Sequence, residues 1–305
     1  MNDETPAAVV DETLAAVVAL VRADARPGHR IAEDLEAGTP PVVLLERALA
    51  GVADTGQQSL LMAPDDRGEA IAHARAELAA WHTEGITVRS VLDPAYPRNL
   101  REVHDRPPLL FATGQLCPGS DRAIAVIGSR HASPGGLERA RDVAGHLVGR
   151  DFVVVSGLAA GIDRAAHLAA LAHDGRTIAV IGTGLRHSYP REHADLQAMI
   201  ATRDAVVSPF WPDTPASRET FPVRNGVMSG LSLASVIVEA GVTSGTRIQA
   251  RLALAHGRPV FLAETLISQP WAQTLAARPA VHVYREPAEI TDVIERRIET
   301  GVLIA

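Results

Sequence analysis

The sequence predicts an α/β fold, an extended Rossmann-like, doubly wound, mostly parallel sheet preceded by a small N-terminal helical region. Three observations carry this. From Ala123 onward, short apolar runs without polar alternation take turns with helical stretches, as expected of parallel strands covered on both faces. Several of those runs stop at glycine, where such sheets hold their ligands. Ahead of residue 85, apolar residues recur mostly at helical spacing. The expected organisation is a helical region over residues 1–84, the Rossmann-like domain over 85–293 and a C-terminal tail over 294–305.

Taken in order, "ETLAAVVALVRA" and "PPVVLLERALAGV" read as helices separated by the breakers "DARPGHR" and "EAGTPP". Arg67 to Gly85 is one amphipathic helix with a glycine stop. "ITVRSVLD" alternates as a strand, "AYPRNLREVHD" is a turn with a short helix, and "PPLLFATG" is a second strand. The β/α alternation then begins with "AIAVIG", helix Leu137 to Gly149, "FVVVSG" and helix Asp163 to His173. It continues with "TIAVIG", helix Glu192 to Thr202, "AVVSPF", helix Val223 to Ser232 and "ASVIVEA". Helix Ser244 to His256, "PVFLA" and a last strand at "AVHVY" complete it.

A chain of 305 residues buries an ample core without metal or disulfide. The single cysteine, Cys117, builds no disulfide framework or zinc cluster and fits a reducing compartment as an ordinary thiol. No apolar run reaches membrane-spanning length, and the start "MNDETPAAVVDE" is acidic where a secretory signal is basic, so cytoplasm is expected and a membrane is not. All 29 basic side chains are arginine, which excludes a P-loop, a Schiff base and a lysine base. The net charge of −7 is uneven: Asp121 to Val260 carries 15 arginines against 12 acidic residues. A locally positive groove is therefore compatible with an acidic molecule.

Three strands end alike, in "AVIGSR", "VVVSGLAAGID" and "AVIGTG". Gly128, Ser129 and Arg130, then Ser156, Gly157, Ala159 and Gly161, then Gly182, Thr183 and Gly184 form an expected anion-binding rim of turn amides and hydroxyls. Asp163 is read as the N-cap of the helix that follows. His167, one turn in, is read as packed or solvent-facing rather than lining the cleft. "FPVRNGVMSGLS" sets Phe221, Arg224 and Asn225 at a loop-to-helix junction. There the ring either anchors the loop in the core or stacks on a base while the guanidinium pairs with phosphate. "VEAGVTSGTRIQA" offers Ser244, Gly245 and Thr246 at another helix start, behind Glu239, which is either a general base or a carboxylate holding hydroxyls or loop amides. No zinc spacing, hydrolase elbow or Walker motif occurs, so no catalytic residue, metal ligand or cofactor is assigned.

These blocks, from "DPAYPRNLREVHDRPPLLFATG" to "VEAGVTSGTRIQARLALAHGRPVF", resemble the DprA/Smf DNA-processing proteins over about Leu92 to Phe261. The resemblance implies a cytoplasmic, dimerising, non-catalytic protein that binds single-stranded DNA and helps load a RecA-type recombinase in recombination and natural transformation. Carried over, the DNA contacts are Ser129 and Arg130, the loop Ser156 to Gly161, Gly182 to Gly184, Phe221, Arg224 and Asn225, and Ser244 to Thr246. The chain departs from the family at Gly226, where a basic residue is usual, at "SPFWPDTPAS" and after "RPVFLA". With Ala305 as its last residue, the sequence is expected to lack the C-terminal winged-helix-like module found in many members. A second reading is a nucleotide-binding or nucleotide-hydrolysing protein of the phosphoribohydrolase kind, with Glu239 as base, although "PGGxGT-x-x-E" is not matched. A third is a scaffold with a vestigial cleft.

Overall fold

A computed structural model describes residues 11–54, 66–116, 120–241 and 245–303. Cys117 and Ser244 lie outside the described residues. The chain divides into two compact units, Met1–Tyr96 with Pro107–Leu110, and Pro97–Arg106 with Phe111–Ala305.

The first unit contains α1 (Glu12–Ala23), α2 (Gly28–Glu36), α3 (Pro41–Asp54), α4 (Asp66–Thr83) and β1 (Ile86–Ser90). Asp11 caps α1, its carboxylate accepting from the Thr13 amide at 2.9 Å. Ala15 to Leu20 are buried in succession, which makes α1 the central helix against which α3 and α4 pack. This unit extends past residue 84, because β1 packs on α1 and α4.

The second unit opens with α5 (Arg98–Arg101), and β2 (Leu109–Gly114) enters it at Phe111. Then follow β3 (Ala123–Gly128), α6 (Pro134–Val148), β4 (Val153–Ser156), α7 (Ile162–Ala172), β5 (Thr177–Val180), α8 (Ala194–Arg203) and β6 (Ala205–Ser208). The remainder is α9 (Thr220–Leu231), β7 (Ala234–Glu239), α10 (Thr246–Ala255), β8 (Val260–Ala263), α11 (Pro270–Ala276), β9 (Val281–Tyr284) and α12 (Pro287–Glu299). Its sheet runs β2-β6-β5-β4-β3-β7-β8-β9. The β2–β6 pair is antiparallel, and the pairs from β6 across to β9 are parallel. The mostly parallel α/β architecture is therefore as the sequence predicts, including the last strand at β9.

The strands are apolar on both faces because helices cover both; Ala123 to Val126 are 0% exposed. Each fully buried Val, Ile or Leu contributes about 1.5–3 kcal/mol. From β3 the chain winds outward through β4, β5 and β6, then returns to place β7 on the other flank of β3. This is a topological switch point, where strand ends diverge and leave a crevice. The β3–β7 register slips there: Ile127 faces Ile237, but Gly128 faces Glu239.

Several boundaries differ from expectation, α6 for example starting at Pro134. Helix α9 starts at Thr220, before Phe221, because the Ser217 hydroxyl accepts from the Glu219 and Thr220 amides at 3.2 Å each. Pro222 fits that first turn, where its missing N–H is not needed. Helix α7 starts at Ile162, capped by Gly161 at φ 76° rather than by Asp163. Helix α12 crosses residue 293 because Ile290, Thr291 and Ile294 are buried. No helix among the described residues is long and apolar enough to cross a membrane.

Candidate functional site

At the carboxyl ends of β3 and β7 a pocket of about 530 Å³ opens. Gly128, Ser129, Arg130, Ala159, Phe221, Arg224, Asn225, Gly245 and Thr246 line it, together with Asp163, His131, Met228, Ile127 and Gly241. A second hollow of about 160 Å³ shares Arg130, His131, Ala159, Phe221 and Arg224, and adds Gly157, Ala160, Gly182, Tyr189 and Pro190.

Arg130 leaves the β3 turn, which is tightly built. The Ser129 amide donates to the Glu239 carbonyl at 2.7 Å, and the Ser129 carbonyl accepts from the Ile162 amide at 3.2 Å. A Cβ on Gly128 would lie 2.5 Å from Ile162 Cγ1, and one on Gly161 would lie 2.2 Å from the Ser129 carbonyl oxygen. Both glycines therefore let two turns approach, and Gly161 also needs its positive φ. The guanidinium carbon of Arg130 sits 5.1 Å from the centroid of the Phe221 ring, within cation–π range. Tyr189, 46% exposed, stands on another side of Phe221, with ring centroids 5.6 Å apart at 52°.

Beneath this surface lies Arg224. Its residue is 5% exposed, its Nη1 donates to the Val180 carbonyl at 3.2 Å, and its Nε has no hydrogen-bond partner among the described residues. A Cβ on Gly157 would lie 1.5 Å from Arg224 Nη1 and 2.8 Å from Asp163 Oδ2. Gly157 thus makes room for a buried guanidinium beside a buried carboxylate. Burial pushes the Asp163 carboxyl above its usual range, against the charge of Arg224 and amide hydrogen bonds. Burial likewise lowers Arg224, with Asp163 opposing that effect and Arg130 adding to it. Asp163 accepts from the Gly157 and Ala159 amides at 3.2 and 3.4 Å. It organises the loop from inside the helix, which corrects the N-cap assignment. Leu158, 0% exposed, is held at φ 57° in the same loop, a strain of about 1–3 kcal/mol that surrounding packing must overcome.

Ser156 and Thr183 do not bring hydroxyls to the rim. Ser156, 0% exposed, donates to the Val126 carbonyl at 2.6 Å. Thr183, 1% exposed, donates to the His187 carbonyl at 3.4 Å. Ser156 is turned inward as the last residue of β4, and Thr183 lies in the turn after β5 with its hydroxyl on the backbone. Gly184 packs on another turn, its amide donating to the Thr214 carbonyl at 2.8 Å. Glu239 binds loop groups, as the second of its two readings holds: Oε1 accepts from the Ser133 amide at 3.0 Å, and Oε2 from the Ser133 hydroxyl. Ser133 in turn caps α6. His167 is 0% exposed, bonded through Nδ1 to Thr177 Oγ1 at 2.7 Å, and burial drives its pKa down to about 3. Tyr189, His131 and Met228 also line the crevice, and no sequence pattern marks them. Tyr189 lies in the quoted block "TIAVIGTGLRHSYPREHADL", where only the glycines signalled a turn.

The family described as DNA recombination-mediator protein A matches this chain over residues 87–296. DNA processing protein DprA of Streptococcus pneumoniae is 42% identical over 172 residues, 56% of this chain and 61% of that protein. The Bacillus subtilis protein of the same name is 35% identical over 196 residues, 64% of this chain and 66% of its own length. Protein Smf of Escherichia coli is 39% identical over 204 residues, 66% and 54% of the two chains. The matches thus cover less than two thirds of each of these three relatives. The X-ray structure of DNA processing protein A from S. pneumoniae superposes with a TM-score of 0.72 at 30% identity, covering 92% of this chain and 97% of that one. A structure of the protein from Helicobacter pylori shares the fold, with a TM-score of 0.61 at 22% identity over 69% and 96% of the two chains. With a family match that runs from β1 into α12 and takes in every turn of the rim, the chain belongs to the DNA recombination-mediator protein A family.

Proposed function

We propose that this protein binds single-stranded DNA along the rim of the switch-point crevice and acts by positioning the strand, with no bond made or broken. The observation that carries this is Arg130, a cation set over the Phe221 ring at the mouth of a glycine-built crevice. A guanidinium there pairs with a backbone phosphate, turn amides take further phosphate oxygens, and the aromatic pair offers stacking faces that need no particular base. The relative from H. pylori has been described in a single-stranded DNA binding mode, in keeping with this reading. Gly245 and Thr246, at the start of α10, supply a second phosphate position. Arg224 contributes from below: its charge is buried beside Asp163, where it supports the loop and the Phe221 wall.

On this reading the protein works in the cytoplasm as a homodimer and hands the strand to a RecA-type recombinase during recombination or DNA uptake. The engagement of Glu239 by Ser133 weighs against the nucleotide-hydrolase reading. The test is fluorescence anisotropy of a labelled polythymidine oligonucleotide with wild type and Arg130→Ala, at low and moderate salt. Tight, salt-sensitive binding lost in the variant supports the proposal; no binding at low salt overturns it.

A further inference from the structure

On the face of α9 that carries Gly226 and Ser229, three residues from separate parts of the chain meet. His104 and Asp105 follow α5, and His256 caps the end of α10. Each offers one ligand atom, and these atoms lie within 4.8 Å of one another. The His256 side chain is fully buried, with Nδ1 3.0 Å from Ser229 Oγ and Nε2 2.7 Å from Asp105 Oδ1. His104, exposed, sets its ring edge-on to His256, with centroids 5.3 Å apart.

We propose that His104, Asp105 and His256 form a binding site for a divalent transition-metal ion, with zinc as its ligand of choice. Two imidazoles and a carboxylate suit zinc and its neighbours, whereas magnesium and calcium select oxygen. Three protein ligands leave one position of a tetrahedral zinc open to water. The bond between His256 Nδ1 and Ser229 is the outer-shell contact that fixes a ligating imidazole, leaving Nε2 to the metal. To present its Nε2 lone pair to the ion, the neutral ring carries its one proton on Nδ1 and donates it to Ser229 Oγ; the proton leaving Nε2 passes to Nδ1 from the neutral ring, or to solvent from the imidazolium. Donor atoms on one zinc stand about 3.3 Å apart, so Asp105 must move back from His256. Gly226 leaves room beside the carboxylate, since a Cβ there would press on Asp105 Oδ2 at 3.2 Å. The segment bearing His104 and Asp105 is firmly held. Asn99 donates to the carbonyls of Asp121 and Leu231 at 2.7 and 3.1 Å, and Arg258 Nη2 donates to Glu102 at 2.9 Å. The backbone that carries the ligands is therefore held in place while the Asp105 carboxylate shifts, and the exposed His104 lies at the entry path.

This inference is independent of the DNA-binding reading. The test is calorimetric titration of the chelator-treated full chain with zinc, repeated with cobalt to read its visible absorption. His104→Asn leaves the buried pair intact, and His73→Asn removes a surface histidine that pairs with Glu77 at 3.8 Å. The expected result is one equivalent bound by wild type and by His73→Asn, at least tenfold weaker binding by His104→Asn, and tetrahedral cobalt bands that this variant loses. Zinc should also raise the unfolding temperature of wild type and not of His104→Asn. Absence of stoichiometric binding, equal affinity in wild type and His104→Asn, or loss in His73→Asn instead would each overturn the assignment.

Discussion

The guanidinium carbon of Arg130 lies 5.1 Å from the centre of the Phe221 ring, which joins the turn after β3 to the first turn of α9. Two strand-and-helix units far apart in sequence thus present a cation and an aromatic face as one surface. Replacing either residue tests a different component of binding. Arg130→Ala should weaken single-stranded DNA binding across sequences and reduce the salt slope by about one ion, as expected for one lost phosphate contact. Phe221→Ala should cost about 1–3 kcal/mol of binding with the salt slope unchanged. Anisotropy titrations at several salt concentrations separate the two effects; a salt slope that falls equally in both variants would contradict this division.

Gly157→Ala should destabilise the second unit by about 2–3 kcal/mol. The new Cβ would lie 1.5 Å from Arg224 Nη1, so the guanidinium must leave Val180 and the Asp163 side. Urea denaturation checks this. A variant as stable as wild type would mean that Arg224 has another place to go.

Glu239→Gln should lower stability by about 1–2 kcal/mol through weakened hydrogen bonds from Ser133 to a charged acceptor. Wild type and variant should alike release no free base from nucleoside monophosphates, read by chromatography. Release by wild type that vanishes in the variant would instead make Glu239 a catalytic base.

His167 makes stability depend on pH. Burial is the main cause that brings its pKa down to about 3, whereas in the unfolded chain it titrates near the ordinary value of about 6.5. Below that value the unfolded state binds a proton that the folded state refuses, so stability falls as pH drops. The expected slope approaches about 1.4 kcal/mol per pH unit between those two values. Urea midpoints of wild type and His167→Gln at pH 7 and pH 5 give the measurement, and the variant should lose that share of the slope. An unchanged slope would place the proton uptake on another group.

Much of this protein was legible in its sequence. Unbroken apolar runs such as Ala123 to Ile127 announce strands buried on both faces, and the helices between them announce parallel connections. Glycines at strand ends located the crevice, because backbone can approach backbone only where no Cβ intervenes. These are local properties, set by side-chain period and backbone freedom, and a linear pattern records them. What tertiary structure decided is which side chains face the crevice and which support it. Strand order put β7 beside β3 and so gave the Glu239 carboxylate to Ser133. The space beside Gly157 drew Arg224 under the surface, and Asp163 became the loop's acceptor because Gly161 took the cap. Strand alternation turned Ser156 inward. His256 and Asp105, 151 residues apart, meet because α9 packs on α5 and α10 packs on α9, a contact no spacing rule records.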